Sequence, residues 1–130
     1  MLKDGIRISC AKDILPLLAD IAGKQQEYFL CISLNGANEV VEKRVVTIGL
    51  LDKSPVQPRE VFADVIADRA AAVIFAHNHP SGDLQPSEAD RRIHDQLTEA
   101  GKILGLRVLD HVIVTRKGYY SFQEAGLIKS

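Results

Sequence analysis

Cysteine is scarce in this chain of 130 residues: there are two, Cys10 and Cys31, and no C-x-x-C pair. Reduced thiols in a cytosolic protein are the expectation, with a single disulfide left open, and Cys31 reads as a small apolar core side chain. No sign of charge dominates either. Sixteen Lys and Arg stand against seventeen Asp and Glu, for a net charge of −1 and an isoelectric point near 6.4. No basic stripe carries interleaved aromatics, and DNA binding depends on cations that neutralise phosphates, so intrinsic nucleic-acid binding is not expected. The apolar run at Ala71–Ala76 is far too short to span a membrane. Lys3, Asp4 and Arg7 interrupt the early sequence, so no signal pattern is read and a cytoplasmic location is expected. There is no internal repeat and no low-complexity tract. What remains is an ordinary globular composition, 46% hydrophobic and 25% charged. One domain over residues 1–130 fits it, burying roughly two-thirds of its unfolded surface.

The chemistry is concentrated in His77-Asn78-His79-Pro80 and Ser87-Glu88-Ala89-Asp90, spaced H-x-H-P-x6-S-x-x-D. The histidines follow a strand-like apolar run, and side chains at i and i+2 of a strand share a face, roughly 6.5 Å apart. Pro80 stops the strand because it has no N–H for the ladder. Residues 81–86 read as turn and loop, and a helix opens at Ser87. Asp90, in its first turn, adds an oxygen to two imidazole nitrogens. Three protein ligands leave one position for water, the pattern of a catalytic zinc site, although the same donors suit iron, cobalt or nickel. The plainer reading is a capping box, Ser87 and Asp90 satisfying free N–H groups at the helix start. The two roles are compatible at one helix terminus.

These residues carry a resemblance. His77, His79, Ser87 and Asp90 match the JAMM motif of the MPN-domain metallohydrolases, H-x-H-x7-S-x-x-D, at every fixed position. Residues 58–62 (PREVF), 70–74 (AAAVI), 76–83 (AHNHPSGD), 109–111 (LDH) and 119–122 (YYSF) resemble the RadC (UPF0758-type) family, from about Ile6 to the C-terminus. The resemblance implies an MPN-type α/β domain with one zinc ion per chain on His77, His79 and Asp90. Ser87 would donate to the oxyanion of a tetrahedral intermediate. An upstream glutamate would move the proton from water to the leaving amine. Glu27, just before the strand-like Tyr28–Leu34, is the candidate; Glu42, beside Lys43 and Arg44, is the backup and reads more readily as a solvated surface residue. The implied activity is cleavage of a peptide or isopeptide bond in an extended peptide or protein tail. Substrate identity and homo-oligomerisation stay open. Two other readings remain, a non-catalytic MPN interaction module and a DNA-repair-associated accessory protein. A nucleoside deaminase, whose architecture would look similar, needs H-x-E and P-C-x-x-C, and neither is present.

The rest of the chain reads as a mixed sheet flanked by helices. Ser9 caps a first helix running to about Ala22, with Gly23 as its stop and Pro16 an awkward interior residue. Tyr28–Leu34 and Glu39–Ile48 form a hairpin around Asn35-Gly36-Ala37-Asn38. A loop at 49–57 contains Pro55. Pro58 opens a helix to about Ala70, its core face Val61, Phe62, Val65 and Ile66 and its wet side Glu60, Asp64 and Asp68. A helix from about Ser87 to Leu104 packs Ala89, Ile93, Leu97, Ala100 and Leu104, and Gly105 ends it. Leu106–Thr115 is a strand, Lys117-Gly118 a turn and Tyr119–Phe122 a last strand. Five further positions are weighed. His94 is expected to be a partly exposed helix residue, His111 a hydrogen-bonded structural histidine beside Asp110 with support of the site as its other reading. Asp83 reads equally as an orienting carboxylate for His79 and as a turn former. Arg91-Arg92 reads as exposed charge.

Overall fold

In the computed structural model, which describes residues 5–49 and 56–128, the run that ends in the two histidines is the middle strand of a five-stranded sheet. This strand, β3 (Ala72–Asn78), is buried at every position, as a strand covered on both faces must be. On one side it pairs antiparallel with β1 (Tyr28–Leu34), which forms the hairpin with β2 (Val40–Ile48). On the other it pairs parallel with β4 (Arg107–Thr115), which turns back into β5 (Gly118–Ser121). The order is β2-β1-β3-β4-β5. Parallel neighbours need a crossover, and α3 (Glu88–Leu104) supplies it between β3 and β4. The sheet is mixed and the class α/β, as the pattern of hairpin, helix, strand, helix, hairpin predicts. Among the described residues no helix is long and apolar enough to cross a membrane.

Strand alternation divides the core. One face sets Leu30, Ile32, Ile74 and Val112 against Ile14 and Leu18 of the N-terminal segment. The other sets Phe29, Val73 and Phe75 against Phe62 and Val65 of α2 (Pro58–Ala67) and Leu97 of α3. Burial lifts the Cys31 thiol to about 12, so this cysteine is the small apolar core residue expected, and both cysteines are free.

Several boundaries differ from expectation. The first helix is α1 (Ala11–Ile14), capped at Cys10 rather than Ser9, followed by a 3₁₀ turn over Leu15–Leu18. Pro16 is the cause, since it cannot donate to the Lys12 carbonyl and the α ladder stops. Asp13 binds the Ser9 and Cys10 N–H groups at 2.8 and 3.2 Å. Helix α2 ends at Ala67, not Ala70, because Arg69 turns left-handed (φ 57°) to feed β3. Ile66 is half exposed rather than in the core. Asp68 is not on the wet side; it takes hydrogen bonds from Arg44 Nη2 at 2.9 Å and Ser33 Oγ at 3.1 Å. Leu104 is exposed, and Gly101 occupies the packed stripe in its place. Of the expected loop at 49–57, residues 50–55, Pro55 among them, lie outside the described residues.

Gly101 is there because nothing larger fits. A Cβ at this position would lie 2.8 Å from the Leu106 carbonyl oxygen and 3.6 Å from Phe62 Cζ. Alanine would gain about 1 kcal/mol in helix propensity, against an overpacking cost of about 1–3 kcal/mol. Gly101→Ala is therefore expected to destabilise the fold by up to about 2 kcal/mol in urea unfolding, and a stabilised variant would show that α3 can slide away from β4.

Candidate metal centre

β3 delivers His77 as its next-to-last residue, and His79 follows one residue beyond its end. Their Nε2 atoms are 3.0 Å apart. Asp90, third residue of α3, places Oδ1 3.2 Å from His77 Nε2 and Oδ2 3.0 Å from His79 Nε2. One ligand atom from each residue lies within 4.8 Å of the others, and all three residues are buried. The helix start makes this possible. The Ser87 N–H donates to Asp90 Oδ2 at 2.8 Å and the Asp90 N–H to Ser87 Oγ at 3.1 Å. The capping box is real, and it holds the carboxylate facing the imidazoles. The S-x-x-D spacing thus forms the cap and at the same time sets Asp90 beside the two imidazoles.

The donor set fits a divalent cation. His79 Nδ1 donates to the Asp83 carbonyl at 2.6 Å, so in its neutral form the ring turns its Nε2 lone pair inward. Burial alone would raise the Asp90 pKa, but hydrogen bonds from His77, His79 and the Ser87 N–H hold it well below the carboxylate range. Burial likewise pulls His79 down, yet Asp90 and the Asp83 carbonyl, with Glu27 adding charge, lift it above its ordinary value. The centre favours positive charge in a place where a bare cation could not be solvated. His and carboxylate donors of this kind suit zinc and its neighbours in the first transition row.

Glu27 and Ser87 share one cavity beside His79. Both line it, a space of about 600 Å³, with His79, Pro80 and Ser81, and the Glu27 charge reaches His79. Ser87 Oγ accepts the Asp90 N–H, so its own hydroxyl proton is left to donate. Glu42 does not come near. It pairs with Ser33, which pairs with Val73, four residues before His77 and so about 13 Å along the strand. A second cavity, about 490 Å³, also reaches His79 and is lined by Lys24, Arg116 and Lys117, with no carboxylate on it among the described residues. Arg91 and Arg92 line neither cavity.

Sequence reasoning passed over Asn78. It lies between the histidines, fully buried, with its side chain on the opposite face of the strand. Its Oδ1 accepts the Tyr28 N–H at 2.7 Å, and its Nδ2 donates to the Gln26 carbonyl at 2.9 Å and the Lys24 carbonyl at 3.3 Å. One amide thus fastens the segment that carries Glu27 to the strand that carries the ligands. A second buried polar residue beside His77, in a strand otherwise apolar, was the available sign. Asp83 supports His79 through its backbone; its carboxylate accepts the Gln85 N–H at 3.0 Å and forms the turn. Asp110 is buried and binds Ser121 Oγ at 2.6 Å, the His111 N–H at 2.7 Å and the Gln123 N–H at 3.0 Å, tying β4 to the end of β5.

His94 is buried, 3% exposed, which corrects its expected exposure; His111 is wholly buried. One helical turn past Asp90, His94 faces the sheet with it. Burial drives both pKa values down, that of His111 well below its ordinary value, and the neighbouring His77 and His94 add to the effect there. The sign for stability follows. As pH falls through about 6.5 the unfolded chain binds protons at these positions and the folded chain does not. Stability is full above that value and lost below it, by up to about 1.4 kcal/mol per pH unit for each histidine. His79, with its raised value, acts in a separate window, losing stability as pH rises above about 6.5. Urea unfolding between pH 6.5 and 5 should show the decline, and His94→Gln should remove part of it. A flat profile would mean that these two rings protonate in the fold.

Residues 8–127 match the family model described as RadC-like JAB domain. A UPF0758 protein of Methanospirillum hungatei is 51% identical over 128 residues, 97% of this chain and 57% of the relative. One from Trichlorobacter lovleyi is 49% identical over 84% of this chain and 47% of its own length. One from Rubrobacter xylanophilus is 46% identical over 93% and 53%. The chain spans about half the length of the curated relatives it matches.

Proposed function

The chain belongs to the RadC-like JAB domain family, and on that premise we propose that it is a zinc-dependent metallohydrolase of the JAMM type, cleaving a peptide or isopeptide bond. The observation that carries this reading is the convergence of His77, His79 and Asp90 at one buried point, with Glu27 and Ser87 on the cavity that opens beside it. A zinc ion held by these three residues would supply Lewis acidity and a water whose pKa falls to about 7.

The chain's own residues do the rest. Glu27 takes the proton from the attacking water and carries it to the leaving amine, so one carboxylate serves as base and then as acid. Ser87 donates its hydroxyl proton to the oxyanion of the tetrahedral intermediate, a contact worth about 10²–10³ in rate. The capping box keeps Ser87 and Asp90 in register, so donor and ligand move as one unit. The substrate is a peptide or protein tail, laid in extended form across His79 from one cavity to the other. Lys24, Arg116 and Lys117 make one arm of that path cationic, which favours acidic residues on one side of the cut.

The test is a peptide library, including isopeptide-linked members, incubated with the zinc-loaded chain and read by mass spectrometry for new termini. Cleavage that disappears in Glu27→Gln supports the reading, and enrichment of Asp or Glu on one side supports the cationic arm. A zinc-loaded chain that cuts no amide bond in the library counts against hydrolysis and in favour of a binding role.

A further inference from the structure

The hydrolytic reading leaves two buried histidines without a task. His77 Nδ1 lies 2.8 Å from His111 Nε2, His111 Nδ1 lies 3.3 Å from His94 Nδ1, and His94 Nε2 lies 3.4 Å from Thr98 Oγ1. The three rings run in single file from the metal centre to a hydroxyl on α3. Phe122 stacks on His111 at 4.7 Å between centroids, and Phe29 meets it edge-on at 5.6 Å. Between these aromatic walls the ring nitrogens of His111 have, among the described residues, the imidazoles of His77 and His94 as their partners.

Such a file has few arrangements. Each nitrogen–nitrogen contact needs one proton between a donor and an acceptor, and a neutral imidazole carries only one. With neutral rings there are two polarities. In one, Thr98 donates to His94, His94 Nδ1–H to His111 Nδ1, His111 Nε2–H to His77 Nδ1, and His77 turns Nε2–H toward Asp90. In the other every bond is reversed, and His77 presents a bare Nε2 lone pair. The proton count is the same in both, so passing between them releases none. Only the second leaves His77 able to bind a metal through Nε2.

We propose that His111 is a positioning residue for His77, and that His111, His94 and Thr98 form a hydrogen-bonded file whose polarity is selected when a metal binds. The inference rests on the metal-site reading above. His79 has an ordinary acceptor behind it, the Asp83 carbonyl. His77 has an imidazole instead, and an imidazole accepts only in one tautomer, so its support is conditional. His111 must hold its hydrogen on Nδ1, and to do that it needs His94 as acceptor. The ligand field at His77 is thereby tied to Thr98 on α3, the helix that also carries Asp90.

The test uses the intact chain. Long-range proton–nitrogen spectra of the zinc-loaded wild type, labelled with ¹⁵N-histidine, should show hydrogens on Nδ1 of His77, Nδ1 of His111 and Nε2 of His94. Zinc affinity, measured by chelator competition, should weaken about 10–100-fold in His111→Phe, and His111→Gln, whose side-chain carbonyl can accept from His77, should recover most of it at similar melting temperature. A zinc-loaded protein with hydrogen on His111 Nε2 overturns the proposal without any variant, as does unchanged affinity in His111→Phe. A wild type that binds no zinc overturns the metal site itself, a different failure from a site that binds with the wrong tautomers.

Discussion

Asp90→Ala is expected to bring bound zinc from about one ion per chain to near zero, read by elemental mass spectrometry on untagged protein. The carboxylate is the one oxygen donor of the set, and two imidazoles alone make a poor site. The loss should exceed the roughly 10–100-fold that removal of a supporting partner costs. The same change removes the acceptor for the Ser87 N–H, so the metal-free variant should also lose about 1 kcal/mol of stability as its helix cap weakens. Asp90→Asn separates the two effects. Its amide oxygen can still accept the Ser87 N–H, but its charge is gone, so the cap should survive while zinc affinity falls. Zinc retained at full stoichiometry in Asp90→Ala would reduce the S-x-x-D spacing to a cap alone.

Glu27→Gln should show the opposite separation, with zinc kept and turnover lost. Glu27 binds through its backbone, where its carbonyl accepts the Gly49 N–H at 2.8 Å, and its partly exposed side chain belongs to neither core cluster. The substitution should therefore change stability by no more than about 0.5 kcal/mol. A general base that also serves as acid contributes about 10²–10⁴ in rate, so kcat should drop by that factor on any substrate the library identifies. Full activity in Glu27→Gln would move the proton-transfer role to another group. Glu42 is a poor heir, since the register of β1 puts it about 13 Å along the sheet from His77.

The chain's legibility was uneven for physical reasons. β1 matches its expected limits, and the other strands and α3 fall within about one residue of theirs, because alternation and caps are local properties. The first helix went wrong at Pro16, where the apolar spacing continued but the N–H did not. Ile66 and Leu104 sat on the right stripe and still reached solvent; periodicity finds a helix face, but the partner surface decides how far along it burial extends. Asp68 looked solvated because Arg44 and Ser33, its partners, are more than twenty residues away in the chain.

By itself the sequence determined the class of sheet, the helix that opens at Ser87 and the set of atoms able to hold a metal, since two residues apart on a strand and three apart at a helix start are fixed local geometries. Tertiary structure alone decided what surrounds those atoms. Asn78 reaches back fifty residues to hold Glu27's segment, and His111, thirty-four residues after His77, stands behind it. Such partners meet only when β1, β3 and β4 lie side by side. Pairing between strands depends on the summed burial of two core faces, which no short spacing encodes.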